Sequence, residues 1–193
     1  MFVKICGLTN LEDTLAAAEN GATAAGFNFY PGSPRYISPD ALATWIARVP
    51  AGMWKVGVFV NEPVARVLEI SRMLGLDVAQ LHGKETPSDV PTGMRVWKAA
   101  RVVDGYDFST LDAFHTEALL LDGPASGIPF DWSVAPGEDR KIVLAGGLDV
   151  DNVQAAIERV RPWGIDVCSR IESAPGKKDH ARMKRFIQTV LSC

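Results

Sequence analysis

Apolar residues along this chain fall into short runs of strand length. The runs occupy residues 2–6, 23–29, 54–60, 77–81, 94–99, 118–122, 141–145 and 164–168. They recur about every 24 residues, and most are continuous rather than alternating, as parallel strands covered on both faces require. Between them the period changes to that of a helix. Leu11, Leu15 and Ala18 mark a first helix, capped at Thr9 or Asn10 and stopped by Gly21. Ser38, Pro39 and Asp40 open a second with a cap and a first-turn proline. Val64, Val67, Leu68 and Leu74 stripe a third, and Val153, Ala156, Ile157 and Val160 a seventh. Met183, Phe186, Ile187, Val190 and Leu191 stripe the last.

Eight such units predict an α/β fold, a compact (β/α)8 TIM barrel forming a single domain over residues 1–193. A common barrel runs to about 250 residues, so some helices must be trimmed. Residues 83–93 contain Pro87, Pro91 and two glycines, which reduces the fourth helical segment to a turn. The sixth, around residues 130–135, is also abbreviated. An open doubly wound sheet is the alternative, and it lacks support because no dinucleotide-type GxGxxG turn is present. The five tryptophans have no regular interval and read as packing between barrel and helices.

Composition narrows the function classes. With 47% hydrophobic and 22% charged residues the chain is ordinary for a globular protein. Its 20 basic against 23 acidic residues give a formal charge of −3, so no broad basic field exists for nucleic acid. A local patch for a small anionic metabolite is compatible with that balance. Cys6, Cys168 and Cys193 are widely spaced, without a CxxC pair or a metal-like cluster with histidine, which points to a reduced compartment and no metal. No leader or bilayer-length apolar run is expected, so the cytoplasm is the expected location and no membrane partner is expected. A monomer is the default, with a dimer as the alternative.

In a barrel the carboxyl ends of the strands carry the chemistry. Those ends are Cys6, Asn28, Val60, Gln80 with His82, Ala99 with Arg101, Asp122, Gly146 with Gly147, and Ser169 with Arg170. Cys6 reads either as a small buried hydrophobe or as a thiolate base or nucleophile. Alternation places Lys4 one layer below Cys6, and Asp166 and Cys168 share a face of the eighth strand, which closes onto the first. Lys4 and Asp166 are therefore expected to pair inside the barrel beneath Cys6. Asp122, closing Ala118-Leu119-Leu120-Leu121-Asp122, either caps the next loop or acts as a general acid. Arg35, in Ser33-Pro34-Arg35-Tyr36, is either a surface arginine or a clamp for a substrate carboxylate. Gly146 and Gly147 can offer backbone N–H groups to a phosphate, with Ser169 close by. His82 reads equally as a structural hydrogen-bonding group and as a substrate contact. His115 and His180 fall in segments read as helical and solvent-facing, and Cys193 has no chemical case.

The chain resembles the phosphoribosylanthranilate isomerase family of tryptophan biosynthesis. The resemblance lies in Val3-Lys4-Ile5-Cys6-Gly7-Leu8-Thr9, Gly26-Phe27-Asn28-Phe29, Ser33-Pro34-Arg35-Tyr36, Gln80-Leu81-His82-Gly83 and Leu119-Leu120-Leu121-Asp122. It continues through Phe130-Asp131-Trp132, Ala145-Gly146-Gly147-Leu148, Asp166-Val167, and Glu172-Ser173 followed by Pro175-Gly176-Lys177-Lys178-Asp179. It implies an Amadori rearrangement of N-(5-phosphoribosyl)anthranilate without cofactor or metal. By the same resemblance Asp122 is the general acid, Cys6 the general base and Arg35 the holder of the anthranilate carboxylate. Gly146, Gly147 and Ser169 fall in the phosphate loops, Arg170 stands directly beside them, and Asp166 lies near the substrate, as do Gln80 and His82. Three positions depart from the family pattern. Arg170 stands where glycine is usual, Cys168 replaces a usual serine, and residues 123–127 form a shorter loop after the acid.

Three other readings compete. A histidine-pathway or dual-substrate sugar-phosphate isomerase would carry an aspartate where this chain has Cys6, and an indole-forming decarboxylase would present a catalytic lysine. A barrel that binds a ligand after losing its chemistry would be favoured by Arg170 and the short loop.

Overall fold

Eight parallel strands join edge to edge in chain order and close where β1 meets β8 in a computed structural model that describes residues 1–125, 127–134 and 140–193. They are β1 (Phe2–Ile5), β2 (Ala24–Asn28), β3 (Trp54–Phe59), β4 (Val78–Leu81), β5 (Arg95–Arg101), β6 (Ala118–Asp122), β7 (Ile142–Leu144) and β8 (Gly164–Val167). The expected barrel and all eight strands are present. Most ends move by a residue, and β5 runs to Arg101 rather than stopping at Ala99.

Full helices stand at the start and end of the chain: α1 (Leu11–Glu19), α2 (Pro39–Ala43), α3 (Val64–Leu74), α4 (Val153–Val160) and α5 (His180–Ser192). Asn10, not Thr9, caps α1, its side chain accepting the Asp13 N–H at 2.8 Å. The face α1 buries is centred on Asp13, Thr14 and Ala17, rotated around the helix axis from the expected Leu11–Leu15–Ala18 stripe, which is only half-buried. On α5, Leu191 is exposed while the rest of its stripe is buried.

After β4 the helix shrinks to a single 3₁₀ turn, Pro87–Asp89, as expected, and after β6 the described residues hold one such turn, Trp132–Val134. The same happens after β5, where only Phe108–Leu111 coils. There Asp107 takes the Ser109 N–H and hydroxyl with its own side chain, the local competition that favours a turn over a helix. His115 consequently lies in an exposed irregular segment, not in a helix. His180 does open α5, but its Nε2 lies 2.7 Å from the buried Asp13 carboxylate.

The barrel interior is a separate apolar layer that includes Ala24, Val56, Val78, Leu120 and Val143, and a larger outer layer lies between sheet and helices. Trp54, Trp97 and Trp163 do not pack against helices. With Phe2 they plug the amino-terminal mouth of the barrel, Phe2 and Trp163 stacking at 4.4 Å and Phe2 meeting Trp54 and Trp97 edge-on. The opposite mouth is the one left for chemistry. A short hairpin, β9 (Glu172–Ala174) and β10 (Lys177–Lys178), turns at Pro175-Gly176 and folds back over the rim there.

Candidate active site

A cavity of about 320 Å³ opens at the carboxyl ends of the strands. Cys6, Arg35, Gln80, His82 and Asp122 line it, as do Gly146, Gly147, Asp166, Ser169 and Arg170. Ten positions singled out in the sequence, most of them at strand ends, thus converge on one space. Arg101 joins Arg35 and Arg170 on its walls, so three cations gather at the rim in a chain of net charge −3.

The floor is built by β1 and β8. Lys4 is opposite Asp166 in the ladder, and its Nζ reaches Asp166 Oδ1 at 2.9 Å, the pair expected beneath Cys6. Gly26 on β2 makes room for it: a Cβ there would stand 2.9 Å from Lys4 Cε. Burial works against the Lys4 charge, but Asp166 and Cys6 outweigh it and hold its pKa above the ordinary range. Burial pushes the Asp166 carboxyl up to about 7 against the pull of Lys4, with the Cys6 charge adding to the rise.

Cys6 sits one layer higher. The neighbouring Cys168 thiol holds it well below the usual thiol range; burial opposes this, and Lys4 and Lys178 assist. Cys168, keeping the shared proton, is held well above that range. Cys168, given no chemical part by the sequence, is therefore the group that most favours the Cys6 thiolate.

Across the mouth, the two oxygens of Asp122 meet different partners. One oxygen caps the next loop by accepting the Gly123 N–H at 2.8 Å. The other faces His82 Nε2 at 3.3 Å. His82 Nδ1 in turn lies 3.0 Å from the amide of Gln80, a side chain 1% exposed. With the Gln80 amide donating to Nδ1, the ring proton sits on Nε2 and points at Asp122. His82 thus belongs to a chain of polar contacts ending on the carboxylate.

Arg35 is held by a residue the sequence reading gave no role. Its Nε donates to Glu172 Oε1 at 2.9 Å and Oε2 at 3.0 Å, and its Nη2 lies 2.6 Å from Oε2. Glu172 also receives the buried Lys178 ammonium at 2.9 Å. Burial would raise the Glu172 carboxyl, but Arg35 and Lys178 overcome it and keep its pKa below the ordinary value. Both residues lie in a segment that carries the family resemblance, and Pro175-Gly176 is the turn dipeptide that brings them face to face.

The glycine pair has a packing reason as well as a chemical one. Gly146 and Gly147 have φ of 84° and 66°. A Cβ on Gly146 would strike the Gly123 backbone, and one on Gly147 would stand 2.6 Å from Pro129 N. Only glycines let the loop after β6 approach β7 this closely. Arg170 reaches across the same gap, its Nη2 donating to the Gly127 carbonyl at 2.8 Å. It straps the short loop instead of filling the cavity. Ser126 and residues 135–139 lie outside the described residues, and so does Ala135 of the sixth segment.

Residues 3–189 match the family model described as PRAI: N-(5'phosphoribosyl)anthranilate (PRA) isomerase. The chain belongs to the phosphoribosylanthranilate isomerase family. An N-(5'-phosphoribosyl)anthranilate isomerase of Solibacter usitatus is 53% identical over 193 residues, covering 97% of this chain and 96% of that protein. The crystal structure of phosphoribosyl anthranilate isomerase from Thermotoga maritima superposes with a TM-score of 0.93 at 41% identity, covering 100% of both chains. A solved phosphoribosyl anthranilate isomerase in complex with reduced 1-(o-carboxyphenylamino)-1-deoxyribulose 5-phosphate matches with a TM-score of 0.91, again at 41% identity and covering 100% of both chains. Among the described residues no helix is long and apolar enough to cross a membrane.

Proposed function

We propose that this chain catalyses the Amadori rearrangement of N-(5'-phosphoribosyl)anthranilate to 1-(2-carboxyphenylamino)-1-deoxyribulose 5-phosphate, with Asp122 as general acid and Cys6 as general base. The observation that carries the assignment is the meeting of two opposed proton carriers in one cavity. A thiol pushed toward thiolate stands just past β1, and a carboxyl that faces His82 Nε2 stands at the end of β6.

Asp122 gives its proton to the ribose ring oxygen as the C1–O bond breaks, and the anthranilate nitrogen supplies electrons to form an iminium. Cys6 then removes the C2 proton, leaving an enolamine. Transfer of the C2 hydroxyl proton to C1 completes the ketone. The nitrogen already acidifies C2, so proton movement and positioning suffice, without cofactor or metal.

Holding falls to groups at the rim. Gly146, Gly147, Ser169 and Arg170 take the phosphate, and Arg35 takes the anthranilate carboxylate. Because Glu172 engages Nε and Nη2 of Arg35, the carboxylate is met by the remaining Nη1 edge. Gln80, His82 and Asp166 border the sugar. Remote phosphate and carboxylate contacts supply binding energy for orientation at C1 and C2. The chain works on this small phosphorylated substrate in the cytoplasm, as a monomer or dimer.

The test is the decay of the substrate's anthranilate fluorescence with purified protein, with the histidine-pathway aminoaldose run in parallel. Turnover of the anthranilate substrate alone supports the reading. No turnover by well-folded protein rejects it, and turnover of the histidine-pathway compound favours the dual-substrate alternative.

A further inference from the structure

Cys6 and Cys168 are neighbours on adjacent strands. In the β1–β8 ladder Lys4 lies opposite Asp166 and Ile5 opposite Val167, and the Cys6 N–H donates to the Val167 carbonyl at 2.9 Å. One step further brings Cys6 beside Cys168. Lys4 and Asp166, two residues earlier, touch at 2.9 Å, so side-chain alternation turns both thiols to the same inner face. Both are unbridged and half-buried, and both line the cavity. Adjacent strands lie about 4.8 Å apart, and a disulfide spans Cα separations of about 4.4–6.8 Å.

The surroundings suit thiol chemistry. Lys178 Nζ lies 3.8 Å from Cys168 Sγ, close enough to favour negative charge there. Glu172 Oε1 lies 3.9 Å from the same sulfur and accepts its hydrogen bond, which holds the thiol in place. The low pKa of Cys6 makes it the thiolate that reacts first.

We propose that Cys6 and Cys168 form an oxidative modification site, at which a hydroperoxide joins the two sulfurs in a disulfide that removes the catalytic base, and a dithiol restores it. The Cys6 thiolate attacks the peroxide, the O–O bond breaks, hydroxide leaves, and Cys6 becomes a sulfenic acid. Cys168 then attacks the Cys6 sulfur. The S–O bond breaks, the oxygen departs as water with the proton released by Cys168, and the S–S bond forms. Two thiols lose two electrons, and hydrogen peroxide is reduced to water. A dithiol reverses the step by thiol–disulfide exchange.

The loss of activity rests on Cys6 being the base, so cross-link and turnover are read separately. The full chain carrying Cys193→Ser is treated with hydrogen peroxide, blocked with an alkylating reagent, digested and weighed by mass spectrometry. The expected result is a joined Cys6–Cys168 peptide pair, with turnover at least about 100-fold lower in the cross-linked fraction and restored by dithiothreitol. Adding Cys168→Ser, with each protein compared with its own untreated rate, should give no joined pair and, at excess peroxide, carry Cys6 past the sulfenic acid to the sulfinic acid, which dithiothreitol does not reduce. Absence of the joined pair in the Cys193→Ser protein, or a joined pair whose turnover dithiothreitol does not restore, overturns the proposal. A joined pair with undiminished turnover refutes the base role of Cys6 instead.

Discussion

Lys98 and Glu85 stand where a fourth helix would otherwise cover β4. Their charged ends meet at 2.7 Å, with side-chain exposures of 6% and 2%. Lys98 also donates to the Gly83 carbonyl at 2.8 Å, and Glu85 accepts the N–H groups of Asn61 and Gly83. Lys98→Met keeps most of the stem and removes the charge, leaving a buried carboxylate with backbone donors only. Breaking a buried pair in this way costs about 3–5 kcal/mol. For a domain of this size that corresponds to a melting temperature lower by roughly 6–20 °C.

The pH dependence carries a definite sign. Burial would raise the Glu85 carboxyl, but Lys98 and the backbone donors hold its pKa below the ordinary value. Its stabilising contribution is therefore complete above the unfolded carboxyl pKa, about 4.3, and is lost as the pH falls below it. In Lys98→Met the same acidification neutralises a stranded charge, so the deficit against the parent shrinks toward pH 3. Urea denaturation at pH 7 and pH 4 measures both effects, and Lys98→Met/Glu85→Leu should recover part of the loss. A deficit below about 1 kcal/mol at pH 7, or one that grows on acidification, would refute the reasoning.

Glu172→Gln should raise KM for the anthranilate substrate by about 10–100-fold, more than it lowers kcat, because Arg35 loses a charge-assisted anchor; an unchanged KM would contradict the role. Trp97→Phe removes a buried indole N–H that has no hydrogen-bond partner among the described residues. Relief of that donor offsets the small void, so stability by urea denaturation should stay within about 1 kcal/mol, against about 3–5 kcal/mol lost in Trp97→Ala. Arg170→Gly should leave the unfolding midpoint nearly unchanged, its side chain being exposed, while raising KM by roughly fivefold through loss of a cation beside the phosphate loops.

The strands were legible because parallel strands buried on both faces write continuous apolar runs, and closure of the barrel made the Lys4–Asp166 pair deducible from register alone. The missing fifth helix was not, because Asp107 and Ser109 end it through side-chain bonds that hydrophobic periodicity does not record. Cys6, Asp122 and Arg35 were visible as polar groups at strand ends. Glu172 and Lys178 were hidden because they return on a hairpin, Glu172 meeting an arginine 137 residues away. Cys168 was undervalued for a related reason: its neighbour across the closure of the barrel, not its place in the chain, decides what its thiol does.

The most direct test of Cys6 as base is a single-turnover measurement with substrate carrying deuterium at ribose C2, using the parent chain and Cys6→Ala. The parent should slow on deuteration, and Cys6→Ala should be at least about 100-fold slower while keeping the parent's unfolding midpoint. A folded Cys6→Ala protein that turns over near the parent rate would contradict the account.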